Sequence, residues 1–471
     1  MSDFQGTLNN FDVEPLQLPG LIQSHGYLIA LDDISNICFC SENISEFIAI
    51  PHLEFLNNNL EWLEVAINHV DQQDFITQLL KSGKGKHGYA PNNPFKIEVS
   101  GSAYNLIISA SDNYTLLEFE PCNTLSSVNI QHLIGTSLSE MVGDGNLKSL
   151  LENSVTGVNS IIDFDRVMIY RFAEDGNGEV VAESKNNNLE SWLGLHYPES
   201  DNPKQARELY KKNLTRLVAD VNVLPSRLSA GKNNTILLDL SSSELEAVGP
   251  MHIQYLKIMG AASSFSISIL YKNEVWGLIT CHNYTPKHIE YKSRTSAKLL
   301  GQILSSSLEL RQDGVNLKIQ KDYNQHLGKL AKLLLENKSI INALTQFKIN
   351  ILNVVKATGA VLVYDHKVTT LGVVPGEQQL KRLLKWVAAK RTKAFYFTNH
   401  LSDKFPEALS YKNLASGLMV LVLDREKKEY IIWFKPEIIK SPTLSFKIWE
   451  EIVKGKSSNW TTEEVDSVKR L

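Results

Sequence analysis

The sequence predicts an α+β protein made of three tandem antiparallel-sheet domains joined by a long helical spine. Three observations predict it. The chain has 471 residues, more than one core fills at roughly 100–200 residues per domain. Stretches that alternate apolar and polar residues with period two recur in three separate groups, each flanked by helical periodicity. Between the second and third groups, residues 293–337 carry Leu299, Leu300, Ile303, Leu304, Leu308, Leu327, Leu330 and Leu334 at helical spacing. The domains are expected at 1–125, 126–310 and 311–471.

The elements follow in order. Residues 21–49 read as two β-rich stretches around the Asp32-Asp33 turn and then a Ser/Asn cluster that opens a short helix. PFKIEVSG, AYNLIISAS and YTLLEFEP follow as strands, rich in β-branched residues. In the second domain, Ser137–Asn159 has helical spacing through Leu138, Met141, Leu147, Leu150, Leu151 and Val155, and leads into strands FDRVMIYRF and GEVVAES. Residues 186–248 read as a loop-rich insertion broken by Pro198, Pro203, Pro225 and Gly231, before strands SFSISILY and VWGLITCHN. The 293–337 helix is expected to continue as a homodimer seam. The third domain reads as a helix over 338–357, strand GAVLVYD, a helix from Gln378 to Arg391, strands KAFYFT, GLMVLVLD and EYIIWFK, and a helix from Phe446. The last residues, TTEEVDSVKRL, start another helix, and an output domain is expected beyond Leu471.

Composition excludes several classes of function. Hydrophobic residues make up 43% and charged residues 21%, which fits a folded chain and not a low-complexity one. A formal net charge of -4 supplies no positive field for a phosphate backbone, so no nucleic-acid partner is expected. No apolar run approaches the ~20 residues of a membrane span, and the N-terminus lacks the apolar core of a secretory signal. Four scattered cysteines form no disulfide framework, so a reducing cytoplasm is the expected compartment. Hydrolase, zinc-protease and nucleotidase motifs are missing, and no enzymatic activity is expected within these residues. Gly83–Gly88 matches G-x-G-x-x-G but leads into Tyr89-Ala-Pro-Asn-Asn-Pro rather than a helix, and reads as a basic turn. Cys38-x-Cys40 lacks two further ligands and reads as packing, so no metal site is assigned.

The chemically dense region is HYPESDNPKQARELY, Arg216, GPMHIQYLKIMG, SSFSIS and WGLITCHNY. Its Tyr, His, Asp, Ser and Arg residues are the types that line a deep pocket for a flat, polar-edged ligand. On spacing alone, His252 and His282 read equally well as ordinary partly buried residues.

FDRVMIYRF, GEVVAE, LGLHYPESDNPKQARELY, GPMHIQYLKIMG and WGLITCHNY together resemble the bilin-binding GAF domain of phytochromes, bacteriophytochromes especially. LPGLIQSHG resembles the start of that family's PAS domain, and TLGVVP with FKPEI and SFKIWEE resembles its PHY domain. The resemblance implies PAS, GAF and PHY domains with a figure-of-eight knot, residues near Ile22 threading a lasso formed by 222–248. It further implies that Asp201 offers its carbonyl to the pyrrole nitrogens, that His252 organises the pyrrole water, and that His282 holds the D-ring carbonyl. Tyr170, Tyr197 and Tyr255 match the aromatic walls, and Arg216, Ser264 and Ser266 match propionate contacts.

Departures from the family pattern alter the expectation. The two positions at which relatives attach bilin hold Phe11 and Met251, neither of which can form a thioether. Cys281, beside His282, is the remaining thiol of the region. A propionate-pairing arginine is replaced by Glu246. Losing that bond costs about 1.5–3 kcal/mol, and like-charge repulsion adds at most about 4 kcal/mol. Set against the roughly 12 kcal/mol that a tetrapyrrole can gain, this leaves about 10⁻⁴ to 10⁻⁷ M. The arithmetic allows biliverdin as a weak noncovalent ligand. The family's PHY tongue carries Trp-Gly-Gly and Pro-Arg-x-Ser-Phe; here Trp433–Ile438 runs almost directly into Ser441–Phe446, with Thr443 in the arginine's place, so the tongue is expected to be absent or a stub.

The resulting expectation is a cytoplasmic, dimeric, phytochrome-type sensory module, degenerate and without covalent bilin, relaying a signal to a C-terminal effector or response regulator. Two other readings stay open: a red/far-red photoreceptor holding biliverdin noncovalently, and a sensor of another small molecule or a protein-interaction scaffold.

Overall fold

Period-two alternation becomes three antiparallel sheets in the computed structural model of the chain. The structure describes residues 17–67, 74–83, 88–89, 92–122, 130–143, 146–173, 178–197, 204–231, 238–389, 394–437 and 455–471. The chain divides into two units, residues 1–194 with 199–309, and residues 195–198 with 310–471.

The first unit opens with β1 (Gln17–Ile22), β2 (Tyr27–Leu31), β3 (Ile37–Ser41), β4 (Phe95–Val99), β5 (Ser102–Ser111) and β6 (Tyr114–Pro121). Four short helices, α1 (Ile44–Phe47), α2 (His52–Phe55), α3 (Leu60–Ile67) and α4 (Phe75–Gly83), pack Phe47, Phe55, Leu63 and Ile76 against this sheet. Gly83 ends α4, and residues 84–87 of the glycine-rich turn lie outside the described residues. The helical pattern predicted over Ser137–Asn159 divides into α5 (Ile130–Gly143) and α6 (Leu147–Ile162). The second helix restarts because the Asn146 side chain accepts from Ser149 N at 2.9 Å, an N-cap that periodicity alone does not reveal.

Strands β7 (Arg166–Phe172) and β8 (Gly178–Lys185) stand where alternation predicts them. The insertion after them is more regular than predicted. It holds β9 (His196–Tyr197), α7 (Lys204–Lys212), β10 (Thr215–Val218), β11 (Ser226–Ala230) and β12 (Glu246–Val248). These strands are two to five residues long, too short to establish a period, and they form because partners elsewhere in the chain satisfy their backbones. Helix α8 (Pro250–Ile258), β13 (Ser263–Tyr271) and β14 (Glu274–Asn283) complete the second domain. Its sheet runs β10-β13-β14-β7-β8.

The first sheet has the order β12-β1-β11-β3-β2-β6-β5-β4, so β1 lies between two strands of the 222–248 segment. That is the placement the knot requires. Gln23, just past β1, fastens it: its amide donates to Leu217 O at 2.6 Å and its backbone N–H to Leu245 O at 2.7 Å. Glu118 of β6 holds the turn before β12, accepting from Ser243 Oγ and from the backbone N–H groups of Glu244 (3.2 Å) and Leu245 (3.1 Å).

Helix α9 (Tyr291–Glu336) spans 46 residues and matches the predicted spine. Its N-terminal half buries Ala297, Leu300, Leu304 and Leu308 in the second domain's core. In the second unit, Leu330 of α9 joins a core with Val354, Trp433 and Trp460. The sheet there is β16-β15-β19-β18-β17, from β15 (Gly359–Tyr364), β16 (Lys367–Gly372), β17 (Phe395–Thr398), β18 (Gly417–Asp424) and β19 (Glu429–Lys435). The helix predicted over 338–357 is α10 (Ile340–Thr345) followed by a 3₁₀ turn (Ile351–Val354). Asn350 caps that turn through a reciprocal pair with Asn353, which restarts the backbone. Helix α11 (Glu377–Ala389) and a C-terminal helix, Thr462–Arg470, fall where predicted.

Trp433 is fully buried in β19, its Nε1–H donating to Ile351 O at 2.8 Å, and so belongs to the core. Glu437 bridges Ser457, which brings together the two ends of the segment expected to hold a shortened tongue; Thr443 and the helix predicted from Phe446 lie outside the described residues. Among the described residues, no helix is long and apolar enough to cross a membrane.

Candidate functional site

The second sheet sorts the chemically dense residues by face. Residues paired across antiparallel strands share a face, and residues two apart along a strand return to it. Register places Arg216 opposite Ser266, Ser266 opposite Thr280, and Thr280 opposite Met168. Two residues along, Val218 faces Ser264, Ser264 faces His282, and His282 faces Arg166; Tyr170, opposite Leu278, continues the same face. Most of the site residues predicted from sequence therefore share one side of the sheet. The other side carries Leu217, Phe265, Ile267, Ile279, Cys281, Val167 and Ile169, all buried against α6 and α9.

Helix α8 covers the polar face, with Leu256 packing beside Val218, Val248 and Ala261. It brings His252 and Tyr255, whose ring centroids are 6.3 Å apart. Pro250 starts the helix, fitting a position where no N–H is needed, and half-buried Met251 follows it. Tyr170 is buried, and Gly178 is required beside it because a Cβ there would collide with the Tyr170 ring.

Arg216 and Glu246, read separately in the sequence, form a pair in the structure. Arg216 Nη2 donates to Glu246 Oε2 at 2.7 Å, with both side chains largely buried. The pair lines a polar cavity of about 310 Å³, together with Gln23, Lys212, Ser242 and Lys298. Glu246 thus has its charge matched within the protein, and Arg216 is already engaged.

Burial, with Arg216 nearby, lowers the His252 imidazole to about 4. Burial, with Arg166 and His252 nearby, lowers His282 to about 3. Both rings are neutral at physiological pH. His282 Nδ1 and Thr280 Oγ1 are buried on the polar face without a hydrogen-bond partner. Buried polar atoms are ordinarily paired, and an orphaned donor or acceptor costs about 1–3 kcal/mol, so these atoms, with Arg166 Nε on the same face, point to a group that would complete them.

Sequence reasoning missed the support behind His282. Trp192 stands edge-on to its ring, centroids 6.0 Å apart, and the Arg166 guanidinium lies 4.0 Å from the Trp192 ring. Fully buried Arg166 pairs with Glu183 and donates to Glu190 O at 2.7 Å, while Glu183 accepts from Trp192 N at 3.0 Å. An arginine at an inward position of FDRVMIYRF was the available signal, because such a charge needs a buried partner. Cys281 is fully buried on the opposite face, and burial pushes its thiol far up, so it neither reaches the pocket nor ionises there. Phe11, Asp201 and the side chain of Tyr197 lie outside the described residues.

Three family models cover the chain in order: the PAS fold over residues 11–122, the GAF domain over 146–310 and the phytochrome region over 323–441. Cyanobacterial phytochrome B of Nostoc is 32% identical over 99% of this chain. The chain belongs to the phytochrome family. It spans 66% of that relative's length and 66% of a Pseudomonas aeruginosa bacteriophytochrome to which it is 29% identical. Two solved phytochromes superpose over 98% of the chain at 26% identity. They are the Stigmatella aurantiaca photosensory core module (TM-score 0.76, 96% of that chain) and a bacteriophytochrome from the photosynthetic bacterium R. palustris (TM-score 0.77, 97%). This chain is accordingly a phytochrome-like photosensory module, and the face carrying His252, His282 and Arg216 is that of its GAF domain.

Proposed function

We propose that this phytochrome module forms no thioether to a bilin and serves as a degenerate sensory unit, relaying its signal through a homodimer of α9 helices to a C-terminal effector or response regulator. One observation carries the proposal: Cys281, the thiol next to the pocket histidine, is on the core face, while the pocket side offers Met251 at the head of α8. The relay rests on Leu310 and Leu317, exposed and seven residues apart on α9, which present one apolar stripe to a twin helix. Any kinase or other enzymatic output would then reside outside these residues, in a cytoplasmic signalling protein.

A second reading, noncovalent biliverdin in a working red/far-red receptor, is favoured by His282 Nδ1 and Thr280 Oγ1, which a polar-edged ligand would satisfy. The Arg216–Glu246 pair weakens it, because a propionate entering there finds Arg216 already bound to a carboxylate. Incubation with biliverdin or phycocyanobilin, followed by a denaturing gel stained with zinc, should give no fluorescent band. A band would overturn the proposal. The absorption spectrum of the native mixture separates the two readings, since a bound bilin adds a red band and an empty pocket does not.

A further inference from the structure

Where the PAS and GAF domains meet, three side chains from distant parts of the sequence converge. His25 follows β1, Glu120 lies on β6, and His288 lies between β14 and α9. His25 Nε2 is 3.9 Å from Glu120 Oε1, His288 Nε2 is 3.6 Å from Glu120 Oε2, and the ligand atoms all lie within 4.8 Å of one another. Both Nε2 atoms are buried without a hydrogen-bond partner.

We propose that His25, Glu120 and His288 form a binding site for one divalent transition-metal ion of the zinc class. Two imidazoles and one carboxylate are the donor set that such ions prefer, whereas calcium and magnesium require more oxygen ligands. Bonds of about 2.0–2.1 Å place tetrahedral ligands about 3.3 Å apart, so the observed separations close with small rotations of two rings. Arg294 does not block the site. Its Nη2 donates to both Glu120 oxygens at 2.8 Å, but a carboxylate offers about four lone-pair positions, which leaves those facing the histidines free. Arg294 acts instead as the outer partner that orients the ligating carboxylate. Glu244, 3.8 Å from Arg294 Nε, supplies a second negative charge to offset the cation. His25 also lines a cavity of about 200 Å³ together with Gln23, Asp220 and Ile253, which gives that side of the histidine access from outside. The ion would tie the segment after β1 to the loop entering α9, bracing the PAS–GAF junction independently of any bilin.

The test uses the whole chain with zinc chloride, titrated against a chromophoric chelator, and with cobalt chloride, read by visible absorption. One zinc per chain and the d–d band of low-coordinate cobalt are expected. His25→Ala and His288→Ala should each lower zinc affinity at least about tenfold, while His366→Ala, on an exposed turn, leaves it unchanged. His288→Cys should retain zinc and add thiolate-to-cobalt charge transfer, because a thiolate is also a zinc ligand. Absence of the cobalt band in the unaltered protein, or wild-type affinity in both alanine variants, overturns the proposal. If an alanine variant fails to fold, the His288→Cys spectrum decides: no charge-transfer band, no site.

Discussion

The two faces of the GAF sheet are built from the same strands and have opposite chemistry. Toward α6 and α9, Phe265, Ile267, Ile279 and Cys281 make a buried apolar layer. Toward α8, the residues between them, Ser264, Ser266, Thr280 and His282, share space with Arg166 and Arg216, and Thr280 Oγ1, His282 Nδ1 and Arg166 Nε are buried there without a hydrogen-bond partner among the described residues. Stability therefore resides in one face, and the other is held in a costly arrangement that a ligand or a function must justify. Cys281 and His282 are neighbours in sequence, yet they belong to these different worlds because successive strand residues point to opposite sides.

The largest effect expected from this asymmetry is acid lability of the polar face. His252 and His282 are held at about 4 and about 3 in the fold, against about 6.5 for histidine in an unfolded chain. Between those values the unfolded chain binds more protons, so stability is fully present above about pH 6.5 and declines as pH falls through 4 and then 3. Thermal unfolding from pH 7 to pH 3 should show this decline, and His282→Gln should make it shallower. A variant with the same slope as the original chain would mean that His282 is not buried as a neutral ring.

Next in size is a truncation on the apolar face. Phe265 is fully buried among strands and helices, so Phe265→Ala removes a large side chain from a site that cannot collapse fully, costing about 3–5 kcal/mol. Urea unfolding should register it as a lowered midpoint. A loss under about 1 kcal/mol would show that the face is loosely packed and the contrast between the two sides false.

Much of this architecture is legible in the residues. The strands of FDRVMIYRF and WGLITCHNY announce themselves by alternation, and the same alternation assigns Cys281 and His282 to opposite faces. What is not legible depends on register between distant segments. Glu246 reads as an unmatched charge until β12 and β10 are placed, and only then does Arg216 appear beside it. The short strands of the 186–248 segment carry too few residues to set a period, and the Asn146 and Asn350 caps interrupt helices whose apolar spacing continues across them. His25, Glu120 and His288 show no local pattern at all, because their proximity exists only once β1 is flanked by β11 and β12. The roles of Asp201 and Tyr197 rest on family resemblance alone.

The smallest expected effect isolates the polar face most cleanly. Thr280 Oγ1 is buried with no partner, so the folded state bears a desolvation cost that water relieves in the unfolded chain. Thr280→Val keeps the β-branched shape that suits a strand and removes only the hydroxyl. The variant should be more stable than the original by about 1 kcal/mol, the low end of the penalty for an orphaned group, seen as a raised urea midpoint at unchanged slope. The same change on a satisfied hydroxyl would destabilise. Ser243→Ala supplies that control, since its Oγ donates to Glu118 and should lower the midpoint. If Thr280→Val behaves like Ser243→Ala, the hydroxyl has a partner in solution and the polar face is as complete as the apolar one. If the two variants move in opposite directions, the unsatisfied hydroxyl is a standing feature of the pocket wall, and a bound molecule with a polar edge should erase the gain.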